Sequence, residues 1–208
     1  MFLLNIFIFM GIIASSISGA LLGIKKQLDF FGIIVLGIAT ALGGGIIRDV
    51  LIGYIPTVAF RQPIYTVVAT TAAVLVMLFP KKFSNRANAI LFFDAVGLGV
   101  FTAVGSNMAL EQEISSTFMA ITIGVITGVG GGVLRDIFAQ EIPLIFRKEV
   151  YAIASIAGAS SLAYSRNFLG GMLPLYLCFM ITFVIRLIAL YLGIHQSDKE
   201  DNVAENSN

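Results

Sequence analysis

Apolar positions along the 208-residue chain gather into seven long runs, at roughly 2–24, 31–53, 63–79, 89–110, 116–143, 149–165 and 172–193. Short polar breaks divide them at Lys25–Asp29, Pro80–Asn88, Glu111–Ser116 and Ser165–Gly171, and the connections after Gly53 and Gln140 are punctuated by Pro56 and Pro143. A run of about 20 apolar residues wound as helix matches the roughly 30 Å hydrocarbon core of a bilayer. The pattern therefore predicts an all-α integral membrane protein with seven transmembrane helices. The first run lacks a basic stretch ahead of it, and Lys25–Lys26 follow it instead. It reads as a retained helix rather than a cleaved signal peptide, despite the small residues Ser18–Gly19–Ala20. The polar, mostly acidic segment 195–208 is expected to be a disordered tail.

Composition sharpens this reading. Only 12% of residues are charged, half of the roughly 25% that a soluble domain uses to cover its surface, and the mean hydropathy is +0.94. The net charge of +1, without any basic tract, gives no reason to expect a nucleic-acid partner. One histidine (His195), one cysteine (Cys178) and no metal-spaced cluster leave nothing for nucleophilic or metal catalysis, so no enzyme and no cofactor are expected. With no tryptophan, an interfacial belt falls to Tyr54, Tyr65, Tyr151 and Tyr164. If loops alternate sides, one face receives Lys25, Lys26, Lys81, Lys82, Arg86, Arg147, Lys148 and Lys199, and the other only Arg61 and Arg166. Basic loops stay cytoplasmic, which predicts an external N-terminus and a cytoplasmic C-terminus.

The chain also repeats itself. Residues 37–56 read GIATALGGGIIRDVLIGYIP and residues 124–143 read GVITGVGGGVLRDIFAQEIP, identical at nine of 20 positions. With a one-residue slip, Phe60–Tyr65 matches Phe146–Tyr151, and Gly11 and Gly19 correspond to Gly97 and Gly105. Each copy holds three spans: 1–86 and 87–168 are the two units, 169–194 is a seventh helix outside the duplication, and 195–208 is the tail. An odd number of spans sends the second copy into the membrane from the opposite face, giving an inverted repeat of the kind found in transporters, whose pathway lies at the repeat interface.

Candidate functional residues lie in the second and fifth spans. Gly43–Gly44–Gly45 and Gly130–Gly131–Gly132 each place three glycines inside a membrane helix, at a cost of about 1 kcal/mol apiece relative to alanine. A kink or unwound point is expected there, tolerable only where the freed backbone faces protein or a water-filled cavity. The plainer alternative is that small residues let two helices approach closely. Arg48–Asp49 and Arg135–Asp136 follow the triplets, on opposite sides of the midplane. Such charges face a bundle interior, an aqueous cavity or a counter-charge, and pairing across the repeats, Arg48 with Asp136 and Arg135 with Asp49, is one option. These pairs either staple the repeats together or also shape a pathway. Ser15, Ser16 and Ser18 in the first span, and Asp94, Thr102, Ser106 and Asn107 in the fourth, are candidate polar lining; Asp94 in particular needs a partner or water. Lys148 and Glu149 sit at the cytoplasmic end of the sixth span, where lipid headgroups lie, and Arg186 in the seventh is expected to snorkel or to form a salt bridge.

The doubled GGGxxRD motif, each copy followed by a proline, together with Arg147–Lys148–Glu149–Val150, resembles the prokaryotic trimeric intracellular cation (TRIC) channels over nearly the whole chain. The resemblance implies an inner-membrane homotrimer with a potassium-permeable, hourglass-shaped pore in each subunit, conducting K+ or another monovalent cation such as Na+. It implies that Gly43–Gly45 and Gly130–Gly132 kink around the pore, and that the first and fourth spans help to line it. The Lys148–Glu149 pair matches a motif whose lysine is tied to lipid in animal members; the first repeat has Gln62–Pro63 there instead. Some prokaryotic relatives are described as glycine transporters, and an arginine that binds a carboxylate would suit that alternative.

Overall fold

The structure is a computed structural model that describes residues 2–79, 86–112 and 116–205. Lys81 and Lys82 of the orientation count lie outside the described residues, as do the side chains of Arg86, His195 and Lys199. The chain forms α1 (Phe2–Lys25), α2 (Phe30–Leu51), α3 (Val58–Arg61), α4 (Pro63–Leu78), α5 (Arg86–Leu110), α6 (Thr117–Phe138), α7 (Leu144–Arg147), α8 (Glu149–Ser165) and α9 (Leu173–Glu205). The seven long helices answer to the seven predicted spans, and α3 and α7 are four-residue helices at equivalent places in the two repeats.

Local chemistry sets the ends. Asp29 and Ser116, equivalent in the repeat, cap α2 and α6 by accepting from the amides of Gly32 (2.7 Å) and Met119 (3.1 Å). Gly53 and Gln140, also equivalent, take the left-handed conformation just beyond those helices (φ 73° and 55°), which stops the helix and turns the chain. The span expected to reach residue 143 therefore ends at Phe138. Among the described residues, five helices are long and apolar enough to cross a bilayer unaided. At 16 and 17 residues, α4 and α8 are shorter, about 24–26 Å at 1.5 Å per residue, and each is preceded by α3 or α7 in the same connection. Helix α9 runs to Glu205, past the point where a disordered tail is expected; beyond Gly193 the sequence has neither glycine nor proline to break it.

Within each repeat the three long helices pack together, α1 with α2 and α4, and α5 with α6 and α8. The repeats join along two seams, α1 against α5 and α2 against α6, and α9 lies on α8 and α5. Two polar contacts report the inversion. Lys26, after α1, pairs with Glu141, after α6, at 2.9 Å, and Arg166, after α8, reaches Asn107 in the last turn of α5 at 3.3 Å. The ends of α1 and α6 thus share one face, and those of α5 and α8 the other, as two opposed three-span units require.

Helix α2 and helix α6 each run unbroken through their glycine triplets, so the expected unwinding is absent. The close-approach alternative is what the backbone displays. A Cβ on Gly44 would fall on the carbonyl oxygen of Thr127, and one on Gly131 on that of Thr40; a Cβ on Gly130 would stand 3.1 Å from the Cα of Gly44. The triplets let the two backbones touch where the repeats cross, and van der Waals contact replaces the absent hydrophobic drive between helices in lipid.

Gly131→Ala is expected to destabilise the protein in detergent by about 1–3 kcal/mol, whereas Gly45→Ala, whose added carbon meets nothing nearer than Arg48 at 3.6 Å, should be neutral or stabilising by up to about 1 kcal/mol. Unfolding midpoints of the two variants check this; equal midpoints would mean that the crossing is not tight.

Candidate functional site

Arg48 and Arg135 stand in the last turns of α2 and α6, where the helix dipole favours a cation. Both are buried, with 5% and 1% of their surface exposed. Each is bound by the aspartate beside it in sequence: Arg48 donates from Nε (2.9 Å) and Nη2 (2.7 Å) to Oδ1 of Asp49, and Arg135 from Nε (2.8 Å) to Oδ1 of Asp136, with Nη2 also 2.8 Å away. The exchange of partners across the repeats does not occur. Neighbouring side chains pair because the aspartate's other oxygen is turned outward along the chain: Asp49 Oδ2 accepts from the amide of Val58 at 2.7 Å, and Asp136 Oδ2 from that of Leu144 at 3.0 Å. Those amides are the first of α3 and α7. One carboxylate thus neutralises a buried guanidinium and fixes the next short helix, twice.

Beyond this shared unit the two sites differ. Arg135 Nη1 also donates to Asp94 Oδ1 and to Ser18 Oγ, each at 2.7 Å. Asp94 accepts in addition from the Tyr151 hydroxyl at 3.3 Å, and Arg186 Nη2 is 3.8 Å from its Oδ2, with the guanidinium 4.5 Å from the Tyr151 ring centroid. Two arginines and two aspartates sum to zero formal charge, so a neutral cluster draws together α1, α5, α6, α8 and α9. Gly132 makes room for it: a Cβ there would lie 2.8 Å from the Tyr151 hydroxyl and 3.3 Å from Asp94.

Among the remaining candidates, Ser15 is buried against Gly97 across the α1–α5 seam. Ser16 donates to the Ala69 carbonyl at 2.6 Å, Thr102 pairs with Ser155 at 2.7 Å and Ser106 donates to the Ala120 carbonyl at 2.9 Å; these hydroxyls tie helices together. Asn107 stands apart from both arginine sites, donating to Glu111 at 2.9 Å beside Arg166 in a pocket under the start of α9. Lys148 and Glu149 are exposed at the head of α8. Tyr151, expected in the interfacial belt, is 2% exposed and belongs to the Arg135 cluster, and Arg186, expected to snorkel or to form a salt bridge, is buried there in a salt bridge to Asp94. The duplicated Tyr65 and Tyr151 were the available signal; a role in the cluster for Arg186, outside the duplication, had none.

On the face shared by α1 and α6, the Lys26 ammonium holds the Glu141 carboxyl below its ordinary range. That pair stabilises the protein above the unfolded carboxyl's pKa, and its contribution disappears as pH falls through the lowered folded value. It is partly exposed, at 33% and 32%, so at most about 1 kcal/mol is at stake. Glu141→Gln should flatten the acid limb of a pH–stability profile by that much. Asp94→Asn, which leaves Arg135 and Arg186 short of a carboxylate in a buried site, should cost about 3–5 kcal/mol by the same measurement.

The sequence profile described as glycine transporter matches the chain twice, over residues 5–81 and 91–167. The inner membrane protein YadS (UPF0126) of Escherichia coli K12 is 39% identical over 182 residues, covering 84% of this chain and 86% of that protein. YvgT (UPF0126) of Bacillus subtilis is 35% identical over 180 residues, covering 85% and 87%. Among solved structures, one from work on conductance through TRIC cation channels is 36% identical with a TM-score of 0.81, over 91% of this chain and 93% of that one. The TRIC orthologue of Rhodobacter sphaeroides is 31% identical with a TM-score of 0.88, over 93% and 100%.

Proposed function

We propose that this chain, which belongs to the TRIC-like glycine transporter family, is a potassium-permeable cation channel with one pathway inside each subunit of a homotrimer. The observation that carries the reading is the neutralisation of both buried arginines by their own aspartates. A cation moving along the α2–α6 seam then meets no net positive charge at either end of it. Units 1–86 and 87–168 form the two halves of the pathway, which the backbone contact of α2 and α6 at Gly44 and Gly131 closes in this conformation. A bend at the triplets accompanies opening. Lys148 and Glu149, exposed beside the membrane face, meet lipid headgroups. The protein sits in the inner membrane with its N-terminus outside and its C-terminus in the cytoplasm.

A second reading, transport of a small amino acid such as glycine, is favoured by the cavity beside Arg48, whose lining also includes Tyr65. Reconstituted liposomes separate the two. The channel predicts potassium flux that follows the membrane potential and does not saturate at millimolar solute, and the transporter predicts saturable glycine uptake without it. Asp49→Asn uncovers the Arg48 charge, roughly 2 kcal/mol of repulsion for a cation about 8 Å away at an effective dielectric of about 20. Potassium flux should fall about 30-fold; unchanged flux in a folded variant would place the ion path elsewhere.

A further inference from the structure

The two repeats superpose a filled site on an open one. Helix α1 corresponds to α5 by the alignment of Gly11 and Gly19 with Gly97 and Gly105. The residues of the first repeat's site equivalent to Asp94 and Ser18 are therefore Ile8 and Val104. Asp94 and Ser18 are the two acceptors for Arg135 Nη1. Arg48 has neither: its Nε and Nη2 go to Asp49, and among the described residues its Nη1 meets no acceptor. In place of the missing carboxylate there is a cavity of about 70 Å³, bounded by Ile8, Gly45, Arg48, Tyr65 and Val104 among others. By the usual measure that is room for about five waters. Gly45 tells the same story as the equivalent of the crowded Gly132: a Cβ there would touch only Arg48, at 3.6 Å.

We propose that this cavity binds the carboxylate of a small solute, which takes beside Arg48 the place that Asp94 takes beside Arg135. The ligand's carboxylate accepts from Arg48 Nη1 and from the Tyr65 hydroxyl, as Asp94 accepts from Arg135 Nη1 and Tyr151. Arg48 is 94% buried as a side chain, 6% being exposed, so a charge-assisted bond to it forms away from bulk water and is stronger for that. The cavity's size suits a ligand of about four or five heavy atoms; Ile8, Ile12 and Val104 form apolar walls, and Asp49, which also lines it, is the carboxylate that an ammonium on the ligand would meet. A simple carboxylate such as acetate and a zwitterion such as glycine share the recognised group. The inference stands on the cavity and the repeat, and it holds whichever solute crosses the membrane.

The test uses the purified full-length protein in detergent, titrated separately with sodium acetate, glycine and methylammonium chloride at constant ionic strength, with thermal unfolding and calorimetric heat as readouts. Acetate, glycine or both should raise the unfolding midpoint saturably, and methylammonium should not. Saturation by both means that the carboxylate suffices; by glycine alone, that the zwitterion is the ligand. Ile8→Asp supplies the missing carboxylate from the protein and should weaken ligand binding at least about tenfold. Val104→Met, which fills the cavity without a charge, should do the same and serves if Ile8→Asp does not fold. No saturable response to either carboxylate, or binding that survives both substitutions, would overturn the proposal. Potassium flux measured on the same preparation keeps that failure distinct from a failure of the channel reading.

Discussion

The arrangement depends on how a membrane protein can keep an arginine inside. Arg48 and Arg135 are each held by the next residue's carboxylate, and that carboxylate spends its second oxygen on the first amide of a short helix. The bond does two things at once. It removes a charge that the bilayer interior would penalise by several kcal/mol, and it fixes where the chain turns back toward α4 or α8. A site and a turn are therefore one object, and duplicating the 20-residue motif duplicated both.

Around these units the repeats meet through glycine. Backbone-to-backbone contact at Gly44 and Gly131 brings α2 and α6 close enough for the two arginine sites to lie at opposite ends of a single seam. The two ends are nonetheless unequal. Asp94, Tyr151 and Arg186 close one end into a neutral network spanning five helices, while Ile8 and Val104 leave the other with an unused guanidinium edge and a void. An inverted repeat whose halves are unlike in this way has distinct inner and outer ends built into one fold.

Much of this was legible in the sequence, because bilayer thickness is a ruler and duplication is its own alignment. The spans, the inversion and the residues Arg48, Asp49, Asp94, Arg135 and Asp136 follow from apolar run length and from intramembrane charge. The partners did not. Whether Arg135 reaches Asp49 or Asp136 depends on the rotation of α6 about its axis, which one span's composition does not encode, and the neighbour-pairing follows from Leu144 needing an acceptor. The glycine triplets admitted both a break and a close crossing; the crossing is seen because Thr40 and Thr127 present carbonyls at the contact. Tyr151 is assigned to the interface because an amphipathic side chain near a span's end is placed there by default, and only the fold turns it inward; of the two courses open to Arg186, the fold selects the salt bridge.

Two equivalent units that stand head to tail across the membrane must expose equivalent residues on opposite sides of it. Gln62 and Lys148 occupy matching exposed positions ahead of α4 and α8. With Cys178 replaced by alanine, single cysteines at these positions can be labelled in intact spheroplasts with a membrane-impermeant maleimide. Gln62→Cys should be labelled from outside and Lys148→Cys only after permeabilisation. Labelling of both from the same side would contradict that arrangement.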